Sequence, residues 1–338
     1  MNVRRTLNNP DETFGIVGRD AKLRRIVQTI RIIAPSDVSV LIEGESGTGK
    51  DLIATAIHAQ SHRCSGPLIQ VNCAAIPSEL FEAELFGYSR DAFDGADHDK
   101  GGLMLAANYG TLLLDEIAAM PAYLQMKLFR VLRERKLRRL GDELETAVNF
   151  RLLVTTNRNV TALLKENTLR QELYFQISTI KLKLPALRER IDDLPLLAQH
   201  FLDRFNVQYD KSIRSLAEDT VLRLLRYEWP GNISELEKVI ERAVLFCAGV
   251  ELRPECLPEE LQSEDSGAVS FVIPPLVPIE EIERQAILQT LARTAGNITR
   301  TAQILHYPRP TFYRKLKKFG IKVERDGSGA AGKLATSA

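Results

Sequence analysis

Long hydrophobic runs are missing from this chain. Its longest apolar stretches, such as Gly110 to Asp115, fall far short of the ~20 residues that a membrane-spanning helix needs. The N-terminal segment Met1 to Asp11 is polar and lacks the apolar core of a secretory signal, so a cytoplasmic protein is expected. Cysteine is scarce. The four present (Cys64, Cys73, Cys247 and Cys256) show neither CxxC nor zinc-like spacing, which excludes a disulfide scaffold and reads as reduced thiols. No internal repeat is visible. What remains is ordinary: 44% hydrophobic and 26% charged residues over 338 positions exclude wholesale disorder and allow about two domains.

The net charge of +1 conceals an asymmetry. Arg284, Arg293, Arg300, Arg309, Arg314, Lys315, Lys317, Lys318 and Lys322 lie in a stretch from 284 to 323 that contains no Asp or Glu. That stretch carries +9 and leaves −8 for the remainder. A basic module on a mildly acidic body points to a polyanion partner for the module alone.

Residues 14–190 alternate short apolar runs with amphipathic stretches. Val38–Glu43, Leu68–Asn72, Gly110–Leu114 and Phe150–Thr155 read as strands of a parallel sheet with crossover helices. Residues 191–261 show only helical periodicity, broken at Trp229-Pro230-Gly231-Asn232. Residues 262–278 hold three prolines and read as a linker. Residues 279–325 read as a three-helix module, and 326–338 as a disordered tail. Residues 1–13 form an N-terminal extension.

Gly44-Glu45-Ser46-Gly47-Thr48-Gly49-Lys50 follows an apolar strand and precedes the helical run Asp51–His58. Glycines in such a loop let successive backbone N–H groups cradle phosphates. The following helix adds positive potential, and the lysine reaches the terminal phosphates. A second acidic element, Leu112-Leu113-Leu114-Asp115-Glu116, sets a metal-coordinating carboxylate and a water-polarising one at the carboxyl edge of the sheet. Together they predict nucleotide binding.

These residues carry a resemblance. GESGTGKD (44–51), VNCAA (71–75), ELFGY (84–88), GTLLLDEI (110–117), QMKLFRVL (125–132), TTN (155–157), LPALRERIDDLPLL (184–197) and WPGN (229–232) resemble the central domain of bacterial enhancer-binding proteins, the sigma-54-dependent transcription activators. The resemblance runs from about residue 14 to 320. It implies an AAA+ α/β P-loop parallel sheet with a helical lid, a linker and a small all-α DNA-binding domain. It also implies a ring, usually hexameric, with ATP bound between neighbours. By the same resemblance Gly44 to Lys50 bind phosphates, Asp51 belongs to the loop's usual acidic pattern, and Asp115 holds Mg2+. Glu116 orients the attacking water, Asn72 restrains that glutamate, and Asn157 reads the γ-phosphate. The implied partners are duplex DNA, RNA polymerase holoenzyme and further copies of the chain, with no membrane. No receiver domain is expected before residue 14.

Three departures bear on mechanism. The family loop GAFTGA, which grips sigma-54, reads Asp91-Ala92-Phe93-Asp94-Gly95-Ala96; Phe93, Gly95 and Ala96 are kept. The arginine-finger stretch retains Arg170, but its second arginine is Gln176. The second-sensor arginine is Ser234. Arginine brings a fixed charge and a forked donor to a phosphoryl transition state, whereas Gln and Ser bring a neutral donor at most. Slow ATP hydrolysis and impaired sigma-54 contact are therefore expected, unless Arg188 or Arg190 substitutes.

Ile279–Thr294 reads as an amphipathic helix with Ile282, Ala286, Leu288 and Leu291 on one face, closed by Gly296-Asn297. Ile298–Leu305 and Arg309–Phe319 follow, with Pro310 suited to a first helical turn. The run GNITRTAQILHYPRPTFYRKLKKFGI resembles a Fis-type helix-turn-helix, with His306 in the turn. Arg309, Thr311 and Tyr313 are the base-edge or phosphate candidates; Arg314, Lys315, Lys317 and Lys318 are the backbone contacts.

Overall fold

The computed structural model describes residues 14–262 without a break. In the C-terminal part it describes 283, 284, 286–288, 290, 291, 294, 297, 298, 301, 302, 305, 307–323 and 334–335. The N-terminal extension, linker positions 263–278, Gly296, His306 and the side chain of Arg309 lie outside the described residues. By backbone contacts the chain divides into two units, 1–267 and 268–338.

In the first unit the order is α1 (Ala21–Ile33), β1 (Val40–Glu43), α2 (Lys50–Ala59), β2 (Leu68–Asn72), α3 (Ser78–Phe86), α4 (Leu103–Ala106), β3 (Thr111–Asp115) and α5 (Ala122–Glu134). Then come β4 (Lys136–Arg138), β5 (Glu145–Ala147), β6 (Arg151–Thr156), α6 (Val160–Lys165), α7 (Gln171–Ile177) and β7 (Ile180–Lys183). A 3-10 segment, Leu187–Asp193, leads into α8 (Leu194–Gln208), β8 (Ser215–Leu216), α9 (Glu218–Arg226), α10 (Asn232–Phe246), β9 (Glu251–Leu252) and α11 (Glu259–Gln262).

The main sheet is parallel throughout, in the order β2-β3-β6-β1-β7. All four residues of β1 and all six of β6 are buried, as a strand covered by helices on both faces demands. The four strands read from the sequence are present, shifted by at most two residues at their starts. The fifth, β7, was not among them: in Ile180-Lys-Leu-Lys183 two lysines interrupt the apolar run, and only Leu182 is deeply buried. Also unforeseen is the β4–β5 hairpin.

Beyond residue 187 the core is separate and helical, built on Leu194, Phe201, Phe205, Trp229, Leu236 and Ile240. Two corrections apply there. The expectation of helix alone fails, because β8 and β9 pair in parallel over two residues each. The helical core also begins earlier than 191, since Leu187 is fully buried within it.

One buried cation ties the sheet to α1. Arg151, at the head of β6, is 1% exposed. It donates to the carbonyls of Ala34 at 2.7 Å, Ile33 at 3.0 Å and Val38 at 3.3 Å. Those of Ile33 and Ala34 are carbonyls that the end of a helix leaves without intrahelical donors. Burial pulls the guanidinium down to about 10, still charged at neutral pH.

In the second unit Ile287, Leu291, Ala302, Phe312 and Leu316 form a small core. The first helix buries Ile287 and Leu291, one turn apart, whereas Leu288 and Ala286 are half-buried; the apolar face is rotated from the expected one. The third helix, α12, runs Arg309–Lys318 with Pro310 in its first turn. Lys322–Val323 (β10) pairs antiparallel with Leu334–Ala335 (β11), so the expectation of a disordered tail fails at that pair. Among the described residues no helix is long and apolar enough to cross a membrane.

Replacing Arg151 with Leu removes a donor from the carbonyls of Ala34, Val38 and Ile33, of which only that of Ile33 keeps others, from Ser36. Stability should fall by about 3 kcal/mol or more in urea titration. A loss under 1 kcal/mol would mean that water reaches them.

Candidate functional site

Parallel strands deliver their ends to one edge, and three of those ends meet here. β1 runs into the loop 44–50, β3 ends in Asp115, and β6 ends in Thr156 followed by Asn157. In the loop, Gly47 and Gly49 have φ of 75° and 94°, values an L side chain resists. Thr48 Oγ donates to the Glu45 carbonyl at 2.7 Å and braces the turn. Lys50 is buried; its Nζ donates to the carbonyls of Gly44 at 3.0 Å and Glu45 at 3.2 Å, and lies 3.6 Å from Glu116 Oε1.

Glu116 is held from three sides. Besides Lys50, its Oε2 accepts from the backbone N–H of Asn157 at 3.0 Å, and its own N–H donates to Thr155 Oγ at 3.2 Å. Its φ of 56° places it in the left-handed region, at a cost of about 1–2 kcal/mol. Asn72 stands opposite Asp115 in the sheet register, yet its side-chain oxygen accepts from Ala74 N–H at 2.9 Å. Asn72 thus caps its own turn. The contact on Glu116 is made by the Asn157 backbone.

Thr155 was missed by sequence reasoning. It is fully buried, and its hydroxyl donates to Asp115 Oδ1 while accepting from Glu116 N–H. One hydroxyl therefore orients both acids. Only the strand register could have revealed it, since a threonine in a strand is otherwise unremarked. Partial loss of solvation and then the charge of Asp115 raise the Asp51 carboxyl above its ordinary value. Two carboxylates facing each other at the mouth of a phosphate loop are a fitting donor set for a divalent cation.

The helical part closes over the loop. Ile233 and Ser234 N–H donate to the Gly47 carbonyl at 2.9 and 3.3 Å, and a Cβ on Gly47 would lie 2.1 Å from the Gly231 carbonyl oxygen. The WPGN turn that makes this approach is unusual. Trp229 and Asn232 both have positive φ, 54° and 53°, and both are fully buried. Asn232 accepts from Leu187 N–H at 2.8 Å and donates to the Ser46 carbonyl at 3.0 Å and Glu45 Oε2 at 3.2 Å.

Arg188 takes the same Glu45 in a forked pair, which includes a 2.7 Å bond to Oε2. Arg190 is buried, and the nearby carboxylates of Asp193 and Asp20 act on it. Arg170 opens α7 with its N–H on Gln125 Oε1 at 3.0 Å, and its side chain is exposed. Gln176 is half-buried on the same helix.

Residues 88–100 form a compact loop on the turn at 141. Asp91 N–H donates to the Ala96 carbonyl at 2.9 Å, and Ala96 is buried. Phe93 packs edge-on against Tyr88 at 5.0 Å and stays 42% exposed. Asp94 is exposed, and Asp91 holds a φ of 64° where the family's glycine is free of strain.

In the second unit, Glu283 accepts from the Tyr307 hydroxyl at 2.5 Å and pairs with Lys315, whose Nζ also lies 5.1 Å from the Tyr307 ring centre. Lys315 is thus half-buried and fastens α12 to the first helix. Arg314, Lys317, Lys318 and Tyr313 are exposed on α12, and Thr311 is half-buried.

The Arg188 hydrogen bond, aided by Asn232 and by the Arg188 charge, holds the Glu45 carboxyl down at about 2. A depressed carboxyl stabilises the fold above the unfolded value of ~4.3, and that contribution is lost as pH falls toward about 2. Both partners are nearly half exposed, so the pair is worth at most about 1 kcal/mol. Arg188→Ala should lower the melting temperature by the same few degrees at pH 8 and pH 6, and by less from pH 4 downward. A difference that grows in acid would contradict the assignment.

Family comparison agrees with this geometry. Residues 16–183 match the sigma-54 interaction domain, 188–270 the AAA+ ATPase lid domain, and 278–319 the Fis family of bacterial regulatory proteins. The chain is 43% identical to the regulatory protein AtoC of Escherichia coli K12 over 295 residues, covering 86% of this chain and 64% of AtoC. To the transcriptional regulatory protein ZraR of the same strain it is 40% identical over 306 residues, covering 90% and 69%. The chain therefore spans about two thirds of the length of these relatives. NtrX of Brucella abortus, solved in complex with ADP, superposes with a TM-score of 0.67 at 32% identity, over 92% of this chain and 71% of NtrX. NtrX has also been solved in complex with ATP. With its sigma-54 interaction domain, AAA+ lid and Fis-type helix-turn-helix in sequence, the chain belongs to the sigma-54 activator family.

Proposed function

We propose that the chain is a cytoplasmic, DNA-binding transcriptional regulator of the sigma-54 activator type, which binds ATP at the 44–50 loop and hydrolyses it slowly. The observation that carries the first part is the assembled edge: phosphate loop, buried Lys50, Asp115 and Glu116 converge at the ends of β1, β3 and β6. Backbone N–H groups of the loop bind the phosphates. Asp115, with Asp51 beside it, holds Mg2+, which supplies charge neutralisation at the transferred phosphoryl group when bound. Glu116 accepts a proton from, and aligns, the attacking water. Asn157, through its backbone, fixes where that carboxylate points.

Slow turnover follows from charge. Gln176 and Ser234 stand where the family brings arginines, and a lost finger of this kind costs ~10³–10⁵ in rate. With Arg188 paired to Glu45, Arg170 is the remaining family-matched cation, reaching a neighbour's nucleotide in a dimer or hexameric ring. At the 91–96 loop, Asp91 and Asp94 put two negative charges per subunit around Phe93, and in a ring these repel one another and weaken sigma-54 contact. A second reading is a fully active ATPase that remodels sigma-54 polymerase. The intact hold on Glu116 favours it.

Isothermal titration and phosphate-release assays decide between them. ATP should bind in the micromolar range, Lys50→Ala should abolish binding, and Glu116→Gln should change it little. Thr155→Val should cut any turnover at least ~10-fold, with Thr155→Ser retaining most of it. Arginine restored at 176 and 234 together should raise turnover at least ~10-fold. Turnover near ~1 per second in the unmodified chain, lost in Glu116→Gln, would establish the second reading.

The second unit binds duplex DNA as a dimer, with α12 in the major groove. Arg314→Ala should weaken binding to all sequences and lower the salt slope by ~1, as loss of one phosphate contact requires. Glu283→Gln should weaken binding through the seat of α12. Equal affinity after deletion of residues 279–338 would refute this assignment.

A further inference from the structure

All four cysteines are free thiols, and two of them are neighbours. Cys247 follows the last residue of α10; it is 3% exposed, and its N–H closes the helix on the Ala243 carbonyl at 3.0 Å. Cys256 ends the 3-10 turn Pro254–Cys256, which packs against α10. It is half-buried against the helical core that takes in Cys247, and its thiol stands in hydrogen-bond contact with the Cys247 thiol.

The chain between the two is clamped, so their proximity is fixed by the fold. The Val250 carbonyl accepts from Arg214 N–H at 2.7 Å and the Leu252 carbonyl from Ala217 N–H at 2.9 Å, seating β9 on β8. The Thr220 hydroxyl donates to the Leu252 carbonyl at 2.9 Å, and Lys211 Nζ to the Cys247 carbonyl at 3.1 Å. Leu252 and Leu257, on either side of the turn, are buried. The Cys247 thiol itself is loosely held. It donates to the Gly249 carbonyl at 3.5 Å and the Glu251 carbonyl at 3.4 Å, weak bonds whose loss costs little.

We propose that Cys247 and Cys256 form a redox site, which hydrogen peroxide converts to a disulfide within the chain. Cys256, the more accessible thiol, meets the oxidant. Its proton leaves to solvent, its sulfur attacks one peroxide oxygen, and the O–O bond breaks. Cys256 becomes a sulfenic acid, and the departing hydroxide takes up a proton as water. The Cys247 sulfur then attacks the Cys256 sulfur, the S–O bond breaks, and the hydroxide leaves with the Cys247 proton as a second water. Two thiols lose two electrons, and one peroxide becomes two waters.

Burial, and after it the neighbouring Cys247 thiol, hold the Cys256 thiol above its ordinary value. Such a thiol attacks slowly, and it is a slow leaving group once it is part of a disulfide. The pair therefore stays reduced under brief exposure and stays oxidised once sustained peroxide has converted it. The new bond fastens the end of α10 to the turn that leads into α11, while the start of the same helix is held on the Gly47 carbonyl.

The test uses the full-length chain carrying Cys64→Ser, which removes the exposed thiol. After hydrogen peroxide treatment the protein is alkylated, mapped by mass spectrometry and melted. The peptide holding 247 and 256 should be two hydrogens lighter and unalkylated, and dithiothreitol should restore both thiols after unfolding. The oxidised form should melt at least ~3 °C higher. Adding Cys256→Ser should abolish the mass change and the gain in melting temperature. Cys256 recovered as a sulfinic or sulfonic acid beside a free Cys247 thiol would overturn the assignment. So would two free thiols at a peroxide dose that has already oxidised the partly exposed Met126 to its sulfoxide. A bond that forms without raising the melting temperature would overturn the clamp.

Discussion

Everything at the nucleotide edge depends on one close approach: backbone against backbone, where Gly47 of the phosphate loop meets Gly231 at the start of α10. A side chain on Gly47 would overlap the Gly231 carbonyl at 2.1 Å. Because Gly47 has none, two N–H groups of α10 reach the Gly47 carbonyl, and Asn232 reaches Ser46 and Glu45. The loop that would hold phosphates is thereby braced by a helical part that has a hydrophobic core of its own. The loop is joined to that core by a handful of hydrogen bonds and one half-exposed ion pair.

The cost of this arrangement is visible in the turn that delivers Gly231. Trp229 and Asn232 sit at positive φ, which asparagine tolerates and tryptophan does not. Full burial of the Trp229 ring, with its indole N–H on the Leu224 carbonyl at 2.8 Å, over-determines the strained backbone. On the opposite side of the loop, Thr155 works on a smaller scale. It binds Asp115 and Glu116 with one hydroxyl and supports the left-handed conformation of Glu116.

Much of this was legible in the sequence, and the reasons differ by element. β1, β2, β3 and β6 are short apolar runs with little competition from other periods, so they were read to within two residues. β7 was hidden because lysines alternate along it, and the rotated face of the first C-terminal helix because adjacent Ile287 and Leu288 are interchangeable to a pattern. Loop 44–50 and the 115–116 pair were evident, since their chemistry is local in the chain. Contacts made across the fold were not: Asn157 acting through its backbone, Thr155 bridging the acids, Arg188 spent on Glu45, Lys315 spent on Glu283. Each depends on register or on packing between distant segments, which no spacing rule records.

Hydrogen exchange on the full-length chain, with and without Mg-ATP, tests most directly whether loop and helical core form one site. ATP should slow exchange together at Gly47–Asp51 and at the N–H groups of Ile233 and Ser234, while α8 at the far side of the helical core changes little. Protection confined to the loop, with Ile233 and Ser234 unaffected, would contradict the account.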